Sequence, residues 1–285
     1  MWDVFPDAER LGGATFNFSV HAHRCGHEVL FLSAVGNDAR GVRARAQAVE
    51  LGLPGEYIQT VENAETGIVE VNIDGEGHPD FTLHRPAAYD QVTVEPERMD
   101  EFIEIQPKWI YYGTLHQIYD HTFKETRNLI GNVPDAHRFY DINLRRHCYS
   151  PQLLWQLMKQ SDVVKLNDEE AAEIDRLDGR SHGSLAEFTA YWAQKMYWKA
   201  VAVTRGSKGC AVRIGADYVE SPGYAVAVAD TVGAGDAFSA AFLHGMESDW
   251  DAAKCGEFAN RVGAVVASKP GGIPDWTIEE VWGLR

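Results

Sequence analysis

The chain has 285 residues, with 26 Lys plus Arg against 42 Asp plus Glu for a net charge of −16, and 45% hydrophobic and 11% aromatic residues. This composition predicts a folded chain able to bury a large core, as one large domain or one large and one small, and argues against disorder. With no excess of cations the chain offers little to nucleic acid or to an anionic membrane, so neither is expected as a partner and anionic ligands must be held by local groups.

Apolar stretches such as Ala225–Ala229 fall far short of the ~20 residues that span a bilayer. Met1–Pro6 is neither basic nor followed by the apolar run of a signal peptide, so a cytoplasmic location is expected. Cys25, Cys148, Cys210 and Cys255 show no CxxC or His/Cys spacing, which predicts reduced, packed thiols and neither a disulfide framework nor a zinc site. No linker, repeat or low-complexity segment interrupts the chain.

From Gly67 to Leu83 the sequence alternates: Val69, Val71 and Ile73 apolar, Glu70, Asn72 and Asp74 polar, then a turn at Asp74–Pro79 and a second run with Phe81 and Leu83 on one face. This predicts a half-exposed antiparallel hairpin. Downstream, short apolar strands at Trp109–Leu115, Phe139–Asn143, Val163–Asn167 and Ala200–Thr204 are separated by helical stretches at the spacing of βαβ units. A parallel sheet covered by helices on both faces follows. In one of those helices Ser184 and Glu187 suggest a capping box, and Leu185, Phe188, Trp192 and Met196 recur at helical spacing as a core-facing stripe. Two more helices, rich in Ala and Gly, are expected over Asp236–Met246 and Ala252–Ala267.

Each of the four strands ends in residues a strand does not choose for packing: Gly113 and Thr114, then Asp141, Asn143 and Arg145, then Lys165, Asn167 and Glu170, then Thr204, Gly206 and Gly209. In an open α/β sheet, ligands bind beyond the carboxyl ends of the strands, and four such endings sketch one wall of an active site. Any one of them alone reads first as ordinary loop chemistry, and it is the coincidence of four that points to a site. The sharpest segment is Asp230-Thr-Val-Gly-Ala-Gly-Asp-Ala-Phe238, which opens an apolar helix. Its glycines let the backbone turn tightly, and the helix start beyond them offers free N–H groups to an anion. Asp236 either accepts a proton from a hydroxyl nucleophile in that cleft or caps the helix, and the word alone leaves both open. No P-loop, protein-kinase, dinucleotide, HExxH or GxSxG motif occurs, so those chemistries have no support.

Gly12-Gly13-Ala14-Thr15-Phe16-Asn17, with Cys25-Gly26 and Ala34-Val-Gly-Asn-Asp-Ala-Arg-Gly41, and the Asp230–Phe238 word together resemble the ribokinase-like or PfkB-type carbohydrate kinases over nearly the whole chain. Asn167-Asp-Glu-Glu170 is similar to that family's NxxE element and Thr204-Arg-Gly-Ser-Lys-Gly209 to its nucleotide-side turn.

The resemblance implies an α/β fold of one catalytic domain over 1–285: a three-layer αβα sandwich with a mostly parallel central sheet and a small antiparallel β-sheet lid built from about 1–18 and 57–85. It also implies transfer of the γ-phosphoryl group of ATP, with Mg2+, to a sugar hydroxyl. Asp236 then corresponds to the catalytic base, and the amides of Gly233, Ala234 and Gly235 to the anion hole. Asn167 and Glu170 correspond to positions that hold magnesium through water. Lys165, Thr204, Gly206 and Gly209 lie along the nucleotide phosphates, with Asn260 near the adenine or ribose. Asp3, Gly13 and Asn17 match sugar-contacting positions, and Asp141, Asn143 and Arg145 a strand end facing the phosphate and substrate. Asp230 and Val232 match two positions of a potassium site whose ligands are largely carbonyl oxygens. The Gly67–Leu83 hairpin corresponds to the lid, through which two subunits pair in several members.

Phe81-Thr-Leu-His84-Arg85-Pro-Ala-Ala-Tyr-Asp90 and the Val232-Gly233 pair are similar to the fructokinase-like branch, and Ala14 stands where ribokinase itself has Lys. A hexose such as fructose is the expected substrate, with ribose, a 2-keto-3-deoxy sugar acid or a nucleoside as alternatives, and a catalytically silent binding protein as another. His84 and Arg85 either reach the substrate or occupy an exposed rim. Members of the family begin with an apolar strand ending in Gly-Glu, and here Met1 stands where that strand should finish. The central sheet is expected to lack it, with Asp3 poorly held and the sugar pocket incomplete.

Overall fold

The molecule is described by a computed structural model over residues 1–73, 79–145 and 147–284. Two short strands, β1 (Trp2–Val4) and β2 (Glu9–Leu11), lead through Gly12 and Gly13 into α1 (Ala14–Arg24). Then come β3 (Ser33–Gly36), α2 (Ala39–Glu50), β4 (Ile58–Val61), the hairpin β5 (Ile68–Ile73) and β6 (Pro79–Leu83), and α3 (Pro96–Ile105). Strands and helices now alternate: β7 (Trp109–Gly113), α4 (Asp120–Asn132), β8 (His137–Asp141), α5 (Pro151–Lys159), β9 (Val163–Asn167), α6 (Asp168–Leu177), α7 (Leu185–Met196) and β10 (Ala200–Thr204). A hairpin of β11 (Cys210–Ile214) and β12 (Asp217–Ser221) precedes α8 (Ala234–Glu247), α9 (Ala252–Ala267) and α10 (Ile278–Gly283).

A six-stranded sheet in the order β12-β11-β10-β9-β8-β7 carries the molecule. The four strands read from the sequence pair parallel, and the β11–β12 hairpin adds two antiparallel members. Their near-continuous apolar runs reflect burial on both faces. Phe139, Val163, Ala200 and Ala202 pack with Phe242, Phe258 and Val262 of α8 and α9. One residue along, Tyr140, Val164, Val201 and Val203 pack with Leu154, Leu157, Ile174 and Trp192 of α5, α6 and α7. That one-residue flip is the period of a strand, and it makes the sheet the middle of three layers.

The helix read at Ser184 forms as expected over Leu185–Met196, with the Ser184 hydroxyl accepting from the Glu187 N–H at 3.2 Å. The return bond of a full capping box is absent, because the Glu187 carboxylate accepts from the Gly183 N–H instead. Phe188 and Trp192 are buried, and the Trp192 indole donates to Asp175 of α6 at 3.1 Å. Strand β7 stops at Gly113, two residues before the expected end, since Leu115–Gln117 close a short 3-10 turn. Strand β8 stops at Asp141, and Asn143 beyond it adopts φ 40°, outside strand geometry. All four cysteines are free thiols, as their spacing predicts. Among the described residues no helix is long and apolar enough to cross a membrane.

A second sheet has the order β2-β1-β5-β6. The β5–β6 hairpin is antiparallel as predicted, with Val69 opposite Leu83. Its turn, expected at Asp74–Pro79, and the facing of Val71, Ile73 and Phe81 lie outside the described residues. The sheet itself is mixed rather than antiparallel, because β1 and β5 run parallel. These strands are joined by a long crossover through α1, α2, β3 and β4, which permits the parallel arrangement a tight turn forbids. The sheet is also narrower than 1–18 and 57–85: residues from 14 onward are helical, and β4 pairs with β3 in a separate two-stranded parallel sheet. The six-stranded sheet ends at β7, and β3 and β4 stand beside it as a separate pair. Asp3 is not loose: β1 lies between β2 and β5, and Asp3 stands opposite Arg10 on one side and Val69 on the other.

Candidate active site

The Asp230–Phe238 word folds into a turn that ends at Gly233 and a helix, α8, that starts at Ala234. Gly233 has φ 77°, and a Cβ there would overlap the Gly272 carbonyl oxygen, so this position needs glycine for both reasons. The Gly233 and Gly235 N–H groups have no partner among the described residues, and Ala234 N makes only a 3.4 Å contact to the Thr231 carbonyl. Donors at a helix start are thereby left for an anion.

Gly233, not Asp236, is the N-cap of α8, and it makes no side-chain capping bond. Asp236 instead accepts from the Asn17 side-chain amide at 2.8 Å and is buried. Burial pushes its carboxyl up to about 6, the charge of Asp141 adds to the shift, and Asn17, Lys165 and Arg145 oppose it. A carboxylate that binds a proton near neutrality and faces a nest of free amides suits proton acceptance from a hydroxyl.

Under this turn lies a buried charge pair. Lys165 of β9 and Asp141 of β8 are register partners, and the ammonium sits 3.2 and 3.3 Å from the two carboxylate oxygens. Asp141 also accepts from the Tyr111 and Ser239 hydroxyls at 2.9 Å each. Burial alone would lower the Lys165 ammonium, but Asp141, Glu170 and Asp236 outweigh it and raise it. The ammonium is 3.2 Å from where a Cβ on Gly235 would be, so its charge stands directly beneath the free amides. Asp141 is 1% exposed and surrounded by protein donors, so it supports the site from below rather than lining its mouth. Of its companions at the β8 end, Arg145 is exposed and acts on Asp236 and Asp3 through its charge, and Asn143 is half-buried.

Asn167 and Glu170 start α6 as a reciprocal capping box, with the Asn167 carbonyl accepting from Glu170 N–H and the Glu170 carboxylate from Asn167 N–H, both at 2.8 Å. The other Glu170 oxygen accepts from Leu144 N–H at 2.7 Å. Burial raises this carboxyl above its usual range.

Beyond β10, Thr204 leads into a short turn in which Gly206 and Gly209 have φ 54° and 90°. The turn lies backbone to backbone against the end of β12: a Cβ on Gly209 would overlap the Ser221 carbonyl, and one on Gly223 the Ser207 carbonyl. Asn260 of α9 donates to the Ser221 and Pro222 carbonyls at 3.4 Å, completing this second wall. Gly209→Ala is expected to force these loops apart. By the nucleotide-side correspondence that the resemblance gives this turn, KM for ATP should rise about tenfold while that for the second substrate stays within about twofold, which steady-state kinetics checks.

On the opposite side Gly13 (φ 111°) caps α1, and the Asp3 carboxylate lies 2.9 Å from where a Cβ on Gly12 would stand. Burial raises the Asp3 carboxyl. Asp230 accepts from Val232 N–H at 3.0 Å with one oxygen, and from Gly271 N–H at 3.1 Å and Arg10 at 3.4 Å with the other. His84 is half exposed and close to Glu70. Arg85 neither lines a rim nor reaches outward: it is buried, paired with Asp90, and donates to the Leu115 carbonyl. Tyr111, Ser239 and Arg10 are site residues that the sequence reading missed. Ser239 follows Asp236 by three positions and so shares its face of α8, a spacing that the sequence does display.

Residues 7–278 match the pfkB family carbohydrate kinases. Fructokinase-1 of Oryza sativa subsp. japonica is 26% identical over 94% of this chain and 85% of its own length. Among solved structures, an uncharacterized sugar kinase from Pyrococcus horikoshii in complex with ATP superposes with a TM-score of 0.81 at 26% identity, covering 96% of this chain and 91% of the other. A fructokinase from Xylella fastidiosa with bound ATP has the same fold, with a TM-score of 0.87 at 22% identity over 99% and 94% of the two chains. The two glycine words, the free amides at the start of α8 and this match together make the chain a member of the pfkB family of carbohydrate kinases, phosphotransferases that act on a sugar hydroxyl.

Proposed function

We propose that this protein is a cytoplasmic, ATP-dependent sugar kinase that transfers the γ-phosphoryl group to a hexose such as fructose. The observation that carries the reading is Asp236: a buried carboxylate held by Asn17 at 2.8 Å, with its carboxyl pushed up to about 6, beside unpaired helix-start amides. Asp236 takes the proton of the sugar hydroxyl as that oxygen attacks the γ-phosphorus. The amides of Gly233, Ala234 and Gly235, backed by Lys165, hold the charge that gathers on the transferring group. Asp3, Gly13 and Asn17 orient the sugar, with Asn143 and Arg145 at the phosphate side. The ATP phosphates run along Thr204, Gly206 and Gly209, with Asn260 toward the base or ribose.

Magnesium supplies neutralisation of the phosphates when bound. Asn167 and Glu170 fit it only through water, since their capping box already engages both side chains. The potassium ion of the resemblance would be left with the backbone carbonyls at Asp230 and Val232, because N–H donors occupy both Asp230 side-chain oxygens. The four-stranded sheet acts as the lid of a single catalytic domain. It excludes water, which competes with the sugar for the phosphoryl group, and its outer strands β2 and β6 offer edges for pairing with a second copy.

The fructokinase names among the relatives support a hexose over the alternatives. The test is ATP consumption with magnesium across fructose, other hexoses, ribose, 2-keto-3-deoxy sugar acids and adenosine. Highest kcat/KM with fructose is the expected result, and a preference for ribose, a sugar acid or adenosine overturns the hexose assignment. No turnover, with ATP still raising the melting temperature, overturns the enzyme reading in favour of a silent binding protein.

A further inference from the structure

Helix α1 presents Asn17, His21 and Arg24 at i, i+4 and i+7, one face of the helix. Asn17 holds Asp236, as described. His21 and Arg24 both reach the segment 271–275. That segment crosses directly over the α8 turn: the Gly272 backbone abuts Gly233, and a Cβ on Gly272 would stand 3.1 Å from the Asn17 side-chain nitrogen and 3.3 Å from a Val232 methyl. The 271–275 strap is therefore one wall of the turn that supplies the free amides.

His21 is completely buried and belongs to none of the roles assigned above. The Trp276 indole, which can only donate, gives its N–H to His21 Nδ1 at 3.0 Å. Nδ1 must then be the acceptor, the ring proton sits on Nε2, and Nε2 donates to the Gly272 carbonyl at 3.0 Å. Burial pushes the imidazole down to about 4, which keeps it neutral and this tautomer fixed through the physiological range. Arg24 adds bonds to the Ile273 and Pro274 carbonyls at 3.0 and 2.8 Å, and Asp230 fastens Gly271 from the other side.

We propose that His21, with its tautomer set by Trp276, is a positioning residue that presses the Gly271–Gly272 backbone against the Gly233 turn and so fixes the direction of the amides that receive the phosphoryl group. It touches no substrate and acts through the Gly272 carbonyl. The inference rests on the kinase reading for its catalytic consequence but not for its structural one.

The test compares wild type with His21→Leu, which removes the donor, and His21→Gln, which can still offer an N–H to Gly272. Amide hydrogen exchange is followed over residues 231–237 and 270–273 at their bonded amides, Val232 and Gly271 on Asp230 and Ala237 on the Gly233 carbonyl, together with kcat and KM. In His21→Leu, exchange in both segments is expected to rise by about tenfold and kcat to fall by about tenfold, with sugar KM within about twofold. His21→Gln should restore most of both. Trp276→Phe, which removes the tautomer-setting donor while keeping an aromatic ring, should shift both in the same direction and serves if His21→Leu does not fold. Unchanged exchange at Val232, Ala237 and Gly271 in a folded variant overturns the inference, as does a kcat that tracks only the fraction of folded protein. A wild-type protein that consumes no ATP would overturn the kinase reading alone, since the exchange experiment needs no substrate.

Discussion

Asp236→Asn is expected to slow phosphoryl transfer by orders of magnitude and to raise the melting temperature of the same protein. Loss of a general base costs about 10²–10⁴-fold in rate. The stability gain follows from the direction of the proton equilibrium. The folded carboxyl binds a proton up to about pH 6, the unfolded one only to its ordinary value of 3.8, so the native state becomes progressively less favoured as pH rises through that interval. By neutral pH the cost is about 3 kcal/mol, a net figure that already contains what Asn17, Lys165 and Arg145 return to the ionised form. Asparagine carries no charge there and can still accept from Asn17. Thermal melts at pH 7.5 should show the variant higher by several degrees, and the gap should close below about pH 4, where both side chains are neutral. A variant less stable than wild type at pH 7.5 would refute the strained-base picture. The same equilibrium predicts that wild-type kcat/KM falls as pH drops through about 6.

Lys165→Met carries the second large effect, in the opposite direction. It leaves Asp141, 1% exposed, with two hydroxyl donors and no counter-charge. Breaking one side of a buried pair in this way costs about 3–5 kcal/mol. Activity should fall as well, because the positive charge beneath Gly235 disappears. Urea unfolding reads the first and steady-state kinetics the second. Adding Asp141→Asn should recover most of the lost stability, since Tyr111 and Ser239 can donate to an amide oxygen, yet recover little activity. A double variant no more stable than the single one would show that the pair is not the origin of the loss.

The glycine words and the apolar runs were legible because they answer to local physics: backbone at positive φ, and strands buried on both faces. Asp141 was not. A carboxylate at the end of a strand reads the same whether it points outward to a ligand or sideways to a neighbour, and the deciding fact is the register that sets Lys165 beside it on β9. Arg85 failed in the same way, since nothing local signals that Asp90 and the Leu115 carbonyl close around it. The parallel union of β1 with β5 escaped because alternation gives a strand its faces and says nothing about its partner or direction. Nothing in the sequence singles out His21, and its meaning lies in Trp276, at the far end of the chain.

That parallel union also orders the assembly of the molecule. Trp2 finds Leu11 through a short connection, but a ribbon of two three-residue strands is marginal by itself in water. Its lasting partner is Ile68, reached only by closing a loop that contains α1, α2, β3 and β4. Closing so long a loop costs entropy before it returns contact energy, whereas the parallel strands from β7 to β10 meet through single helical crossovers or a pair of helices. The four-stranded sheet is therefore expected to be the last part of the chain to assemble and the first to open under mild denaturant, ahead of the buried layers around β9 and β10.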